Sequence, residues 1–190
     1  GVNQKLMNLA DCKERLMSVG IVFEHGLTDQ EFDSIERAYG FRFPNDLRQF
    51  LAHALPVSPG WLNWRNDNKE EILHRMKWPL DGICFDIEHD EFWMAEWGSK
   101  PASLTDAFEI AAERFSKAPR LIPIYSHRFI PSFPLEAGNP VYSVYQTDII
   151  YYGQNLESYL HNEFRAAFGS TAPVNIGEVR EIEFWSTLVS

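Results

Sequence analysis

The chain has 190 residues, 45% of them hydrophobic, and its 17 basic and 27 acidic side chains give a net charge of −10. A composition this close to the globular norm predicts a single domain over residues 1–190 with a substantial core, and it excludes a disordered chain. The negative charge argues against nucleic acid and against an anionic membrane surface as partners.

Three helices are predicted in the first third of the chain. The spacing of the leucines predicts a first helix that begins near Leu6 and ends near Gly20. A second helix begins at Thr28, with Glu31 in the third position of a capping box. A third helix follows in "FPNDLRQFLAHAL", with Pro44 in its first turn, where the missing N–H costs nothing.

The middle of the chain predicts a helix, a strand, an acidic turn and a further helix. "DNKEEILHRMKWP" has Asp67 as N-cap with Glu70 three positions later, and Pro79 predicts that this helix ends nearby. "GICFDI" then predicts a strand, and "EHDE" predicts a turn. "SLTDAFEIAAERFSK" predicts a fifth helix with an inward apolar face.

The last third of the chain predicts a sheet and one more helix. Four short strands are predicted in "LIPIYS", "RFIPSF", "VYSVYQ" and "IIYYG", and residues 138–153 form a hairpin. Asn155 caps a long helix that runs through Phe168, and the tail "EIEFWSTLV" covers an open face. Helices, then strands, then helices predict an α+β domain with a central, mostly antiparallel sheet flanked by helices.

Two local features of this pattern carry structural predictions. Asp148 is the only formal charge in the hairpin, and we expect it to stabilise the turn, with Arg128 as an oppositely charged neighbour. Trp61 and Trp64 fall in the loop between the third and fourth helices, and we expect at least one of the two rings to be buried.

The chain carries no motif that predicts catalysis. Cys12 and Cys84 are far apart, which predicts neither a disulfide framework nor a zinc knuckle and suits a reducing cytoplasm. The six histidines lack zinc-protease or zinc-deaminase spacing, and the N-terminus lacks the apolar core of a signal peptide. We expect no catalytic residue, no metal and no cofactor; a hydrolase that pairs a cysteine with a distant histidine stays open.

The negative charge is concentrated in one part of the chain. Residues 81–113 contain nine acidic side chains and one basic one, so this window carries −8 of the net −10. Within it, the acidic segment, residues 86–97, alternates carboxylates with tryptophans, the combination that steers and anchors a protein partner. A solvated turn and a hard-cation site stay open as alternatives, although the calcium-loop spacing is absent. The predicted partner-binding residues are Asp86, Glu88, Asp90, Glu91, Trp93, Glu96 and Trp97.

Three motifs, in their order along the chain, resemble the SUKH superfamily of fungal cell-wall-synthesis regulators and their bacterial relatives. They are "FPNDLRQFL", "PIYSHRFIPS" and "GNPVYSVYQTDIIYYGQNLESYLHNEF", and the resemblance covers about residues 27–168. It implies a central sheet flanked by helices, a protein-binding role and no catalytic motif. Bacterial members mostly neutralise toxins as immunity proteins, whereas fungal members are signalling scaffolds. The helix before this core and the tail after it are expected to pack on it.

We therefore expect a cytoplasmic, immunity-type protein that occludes a basic toxin domain through the acidic segment. A nuclease toxin fits this expectation because a nuclease must hold phosphate and so tends to be cationic. A scaffold or regulatory module is the alternative function, and an unrecognised small hydrolase is the third.

Overall fold

The computed structural model describes residues 7–190, which form seven α-helices and two antiparallel sheets. Leu6, where the first helix was predicted to begin, lies outside the described residues. The helices are α1 Leu9–Ser18, α2 Asp29–Tyr39, α3 Asn45–His53, α4 Lys69–His89, α5 Leu104–Lys117, α6 Leu156–Glu163 and α7 Trp185–Leu188. The strands are β1 Phe23–His25, β2 Ala54–Pro56, β3 Leu121–Pro123, β4 Arg128–Pro131, β5 Val141–Tyr145 and β6 Asp148–Gly153. The predicted α+β class and antiparallel central sheet are confirmed.

The helix starts follow local capping chemistry. Thr28 and Glu31 form the predicted capping box: the Thr28 side chain accepts from the Glu31 N–H, and the Glu31 carboxylate accepts from the Thr28 N–H. Asn155 caps α6 in the same reciprocal way with Ser158, so the predicted start of that helix is confirmed. The helix ends at Glu163, however, and its predicted extension to Phe168 is wrong.

The strand predicted for "GICFDI" is wrong, because α4 is one helix of 21 residues that continues through this segment. The helix also does not end at Pro79, and its N-cap is Asn68, whose side chain accepts from the Glu71 N–H, rather than Asp67. A proline within a helix removes one hydrogen bond and crowds the preceding turn. Burial offsets that cost, since one stripe of the helix is buried at helical spacing: Ile72, Met76, Pro79, Ile83, Asp86 and Ile87.

The larger sheet is a meander in which the strand order β3-β4-β5-β6 equals the chain order. β5 and β6 form the predicted hairpin, with Tyr145 paired to Asp148 across the turn. Asp148 is exposed and makes no side-chain hydrogen bond within residues 7–190, so the predicted turn-stabilising role is not found. The predicted pairing of Arg128 with Asp148 is also wrong: Arg128 instead bonds Glu163 at 3.2 Å and the Ser143 hydroxyl at 2.7 Å.

The sheet separates two hydrophobic cores, because alternate strand residues point to opposite faces. Ile122, Ile130 and Val141 pack in the first core with α1–α3, α6 and the first half of α4. Phe129 and Val144 pack in the second core with the second half of α4, α5 and the tail. Trp61 and Trp64 both lie in the first core, which confirms the prediction that at least one is buried.

Both ends of the described chain contribute to these cores. Cys12 and Leu16 of α1 are buried in the first core, and Trp185 of α7 is buried in the second. Before α7, Arg180 donates to the Asn139 side chain at 2.7 Å and to the carbonyls of residues 136 and 137.

Candidate functional site

The acidic segment begins on the last turns of α4 rather than in a turn after a strand. Asp86 and Asp90 are four residues apart, so their side chains lie on the same face of the helix. After α4 the chain continues to a 3₁₀ turn, Ala95–Trp97, which packs against α5. Lys100 stabilises the C-terminal end of α4. Its Nζ donates to the Ile87 carbonyl at 3.0 Å, one of the carbonyls that the helix itself leaves unpaired.

Asp86 is buried and fastens α4 to the turn between β5 and β6. Its relative exposure is 4%, and its Oδ2 accepts from the Thr147 backbone N–H at 2.8 Å and from the Thr147 hydroxyl at 2.5 Å. Its other oxygen, Oδ1, is buried and has no hydrogen-bond partner among the described residues. Asp86 therefore does not face solvent, and we leave it out of the candidate binding surface.

Asp90 lies beside the buried carboxylate of Asp86. The hydrogen bond that a protonated Asp90 makes to the Asp86 side chain, followed by desolvation and the negative charge of Asp86, raises the pKa of Asp90 above its usual value. A protonated Asp90 can donate a hydrogen bond to the Asp86 carboxylate, whereas two ionised carboxylates have no hydrogen-bond donor between them. Asp90 is exposed, but its carboxyl group lies beside the buried carboxylate of Asp86.

The exposed carboxylates of the segment are Asp90, beside Asp86, and the three glutamates Glu88, Glu91 and Glu96. Glu88 lies 3.6 Å from His89. Within residues 7–190, Glu91 and Glu96 have no base at ion-pair distance. Two more exposed acids, Asp106 and Glu109, lie on α5, which packs against α4. Glu88, Glu91 and Glu96 form the charged part of the candidate site.

The two tryptophans of the segment have different environments. Trp93 is half-buried, and its Nε1 donates to the Gly98 carbonyl at 2.8 Å, which fixes the orientation of the ring. Trp97 is buried, meets Trp93 edge-to-face at 5.1 Å and stacks on Phe184 of the tail at 6.2 Å. Trp93 is therefore available as a surface anchor, whereas Trp97 belongs to the core.

A second cluster of polar groups lies at the turn between β3 and β4. Ser126 Oγ lies 3.1 Å from His127 Nδ1, a spacing that a nucleophile and its base also show. Arg128 Nη1, however, lies 2.6 Å from His127 Nε2, and because a guanidinium only donates, Nε2 accepts and the proton is on Nδ1. Burial and the charge of Arg128 also lower the pKa of His127. His127 thus donates to Ser126 and is not placed to take its proton.

The two cysteines do not offer a reactive thiolate either. Burial raises the pKa of Cys12 to about 12, and it also raises the pKa of the half-buried Cys84. Raised values keep both thiols protonated at neutral pH, whereas a nucleophilic cysteine needs a lowered one. In the part of the chain that the structure describes, no three His, Cys, Asp or Glu side chains form a group that could hold a metal ion.

The residues that sequence reasoning missed are those whose roles come from long-range contacts. Thr147 is the partner of Asp86, although 61 residues separate them in sequence. Arg75 and Ser126 meet across 51 residues. Ser126 and His127 occupy a two-residue hairpin turn, where Gly or Asn is the usual choice, and this unusual pair could have pointed to the cluster from the sequence.

A search of protein-family models, curated proteins and solved structures finds no match to this chain. Among residues 7–190, no helix has both the length and the apolar character needed to cross a membrane.

Proposed function

We propose that the chain is a SUKH-type protein-binding protein that acts in the cytoplasm and neutralises a basic toxin domain by occlusion. In this proposal the acidic segment meets the partner through Glu88, Glu91 and Glu96, and Trp93 supplies the apolar anchor. The resemblance of residues 27–168 to the SUKH superfamily and the α+β fold both support this assignment. The mechanism needs no cofactor, because binding alone blocks the toxin.

The observation that carries the proposal is the uncompensated charge at the end of α4. Glu88 lies in the last turn of the helix, where the dipole disfavours anions, and Glu91 and Glu96 follow without an ion-pair partner in the described chain. Concentrated like charge costs stability through self-repulsion. Binding of a cationic partner would offset this repulsion, which gives the acidic surface a role that folding alone does not.

The exposed carboxylates and the Trp93 ring have different roles in the proposed binding. Exposed carboxylates at the rim accelerate association with a basic partner and lose that effect as salt rises. A half-buried aromatic ring that becomes fully buried in the complex slows dissociation. Trp93 is suited to the second role, since its bond to the Gly98 carbonyl already holds the ring in one orientation.

The test begins with a pull-down from the source organism, followed by association and dissociation rates with the captured partner at low and high salt. The decisive variant carries Glu88→Lys, Glu91→Lys and Glu96→Lys. We expect it to associate at least about tenfold more slowly at low salt and to lose most of the salt dependence.

The matched control reverses three exposed acids elsewhere, Glu14→Lys, Asp33→Lys and Glu178→Lys, and so changes the net charge equally. Equal slowing by both triple variants, or none by either, contradicts the proposed surface. A captured partner that is a regulatory enzyme of the host cell supports the scaffold alternative, whereas a toxin encoded beside this gene supports the immunity function.

A further inference from the structure

A cavity of about 680 Å³ lies between the loop after β2, the first half of α4 and the turn between β3 and β4. This volume falls in the range of small-molecule sites, about 300–1,000 Å³. Trp61, Trp78 and Phe129 contribute apolar surface to its wall, and Arg75 and Ser126 contribute hydrogen-bond donors. It is formed by the first half of α4, whereas the acidic segment starts on the last turns of the same helix.

Arg75 is a cation without a counter-ion in this wall. Its Nη2 donates to the Ser126 carbonyl at 2.8 Å, which is its single side-chain hydrogen bond to the described residues. No carboxylate of residues 7–190 lies within ion-pair distance of it. Burial lowers the pKa of Arg75 despite the charges of Glu71 and Asp67, so these acids do not offset its desolvation. A guanidinium in this state has several N–H groups left for an acceptor.

Ser126 adds a second donor beside Arg75. Its Oγ accepts from His127 Nδ1–H, because Arg128 fixes that tautomer, and its own hydroxyl hydrogen is left to donate. Ser126 also has a φ of 51°, a left-handed conformation that favours glycine in a two-residue hairpin turn. Ser126 thus combines a strained backbone conformation with a place in the wall of the cavity, and that combination motivates a functional hypothesis.

We propose that this cavity binds a small apolar carboxylate, with the anion held by Arg75 and the Ser126 hydroxyl and the apolar body against Trp61 and Trp78. A planar carboxylate matches the fork of a guanidinium, which binds it through two parallel hydrogen bonds. A phosphate fits less well, since Glu71 and Asp67 also line the cavity and repel a second negative charge. Binding of this ligand requires no protein partner, so it stands apart from the proposed function.

The experiment titrates the whole chain with indole-3-acetate and with indole-3-acetamide, which differ in charge and little in shape. Calorimetry and saturation-transfer NMR report binding. We expect saturable binding of the carboxylate at roughly millimolar concentration or below, the range that ligand-efficiency limits allow for a molecule of this size. The amide should bind at least about tenfold more weakly, because it lacks the charge-assisted bond to Arg75.

Two variants separate binding from folding. Arg75→Gln should weaken the carboxylate about tenfold or more, while Arg37→Gln, an exposed arginine on α2, should leave it unchanged. Ser126→Gly removes the hydroxyl and relieves the positive φ, so it should fold at least as well as the parent chain yet bind more weakly. Equal binding of acid and amide, unchanged affinity in Arg75→Gln, or no saturable binding of either probe overturns the proposal.

Discussion

Asp86 and Thr147 join the last turns of α4 to the turn of the β5–β6 hairpin through two hydrogen bonds to one carboxylate oxygen, 2.8 Å from the Thr147 amide and 2.5 Å from its hydroxyl. Within the acidic segment, the buried Asp86 therefore positions the helix end, whereas the exposed glutamates are free to contact a partner.

Replacing Asp86 with Ala should destabilise the fold. The change removes two charge-assisted hydrogen bonds and leaves the Thr147 amide without its acceptor, a loss of about 2 kcal/mol in the free energy of unfolding. Urea denaturation followed by circular dichroism measures this. Glu88→Ala, two residues away and exposed, is the control and should stay within about 0.5 kcal/mol of the parent. Equal stability of both variants would show that the contact does not hold the helix end.

Replacing Asp90 with Asn should raise stability at neutral pH. The pKa of Asp90 is raised in the folded state, so the parent chain loses stability as pH rises from the ordinary Asp value, 3.8, through the folded value. An Asn amide donates to Asp86 at every pH and avoids this loss. The advantage of the variant, measured as unfolding free energy against pH, should shrink as pH falls towards 3.8. Glu88→Gln removes an equal charge away from Asp86 and should show a smaller advantage at neutral pH.

Replacing Glu31 with Gln tests the clamp that Arg65 makes at the start of α2. Arg65 binds both oxygens of Glu31, at 2.8 and 3.0 Å, and these bonds lower the pKa of Glu31 to about 2. A lowered pKa means that the stabilisation is present above 4.5 and is lost as pH falls towards 2. The Gln Oε1 can still accept from the Thr28 N–H and so preserves the capping box, whereas its Nε2 cannot accept from Arg65 Nε, so the variant removes the charge and one half of the clamp. We expect a loss of about 1 kcal/mol at pH 7 for this partly exposed pair, which vanishes near pH 2.

Replacing Gly82 with Ala should destabilise α4, although the same change in an exposed helix interior stabilises by up to about 1 kcal/mol. A Cβ at residue 82 would lie 2.7 Å from the Gln146 Cα, so the backbone of the β5–β6 turn would have to move. The expected cost is about 1–3 kcal/mol by thermal or urea unfolding. Gln49→Ala on the exposed face of α3 is the control for helix propensity alone. A gain in stability from Gly82→Ala would show that the turn yields freely.

The two tryptophans of the acidic segment should respond differently to truncation. Trp97→Ala removes a buried ring that stacks on Phe184 and should cost about 3–5 kcal/mol of stability. Trp93→Ala should cost less stability but speed dissociation of the bound partner, with about 2 kcal/mol lost from binding. Unfolding curves and dissociation rates on both variants separate the two effects. A partner that dissociates from Trp93→Ala at the parental rate would exclude this ring as the anchor.

The middle of the chain shows where sequence reasoning fails and why. Pro79 and Gly82 are local signals that predict an interrupted helix, and the short apolar run after them resembles a strand. The four-, three- and four-residue steps between the buried residues Ile72, Met76, Pro79 and Ile83 indicate one continuous helix, and burial of that stripe outweighs the local signals. Tertiary packing decided this element, as it often does where propensity is mixed.

Local chemistry was sufficient where it was unambiguous. The capping box at Thr28 and the hairpin over residues 138–153 were predictable because short-range hydrogen bonds and alternation determine them. Which residues of the acidic segment are exposed could not be predicted from the sequence, because the burial of Asp86 depends on Thr147 and that of Trp97 depends on the tail. Contacts between distant parts of the chain leave no periodic pattern to read.

The short contact between the tail and β6 has a consequence for how the protein behaves at high concentration. Val189 bridges to Ile149 in parallel, and the Ser190 amide donates to the Ile149 carbonyl at 3.1 Å, so the tail occupies part of the outer edge of the sheet. At the opposite edge, β3 is only three residues long and ends in a proline, two features that blunt edge-to-edge association. Removing Val189 and Ser190 alone, which leaves the buried Trp185 in place, would uncover this part of the β6 edge and allow copies of the protein to associate strand to strand.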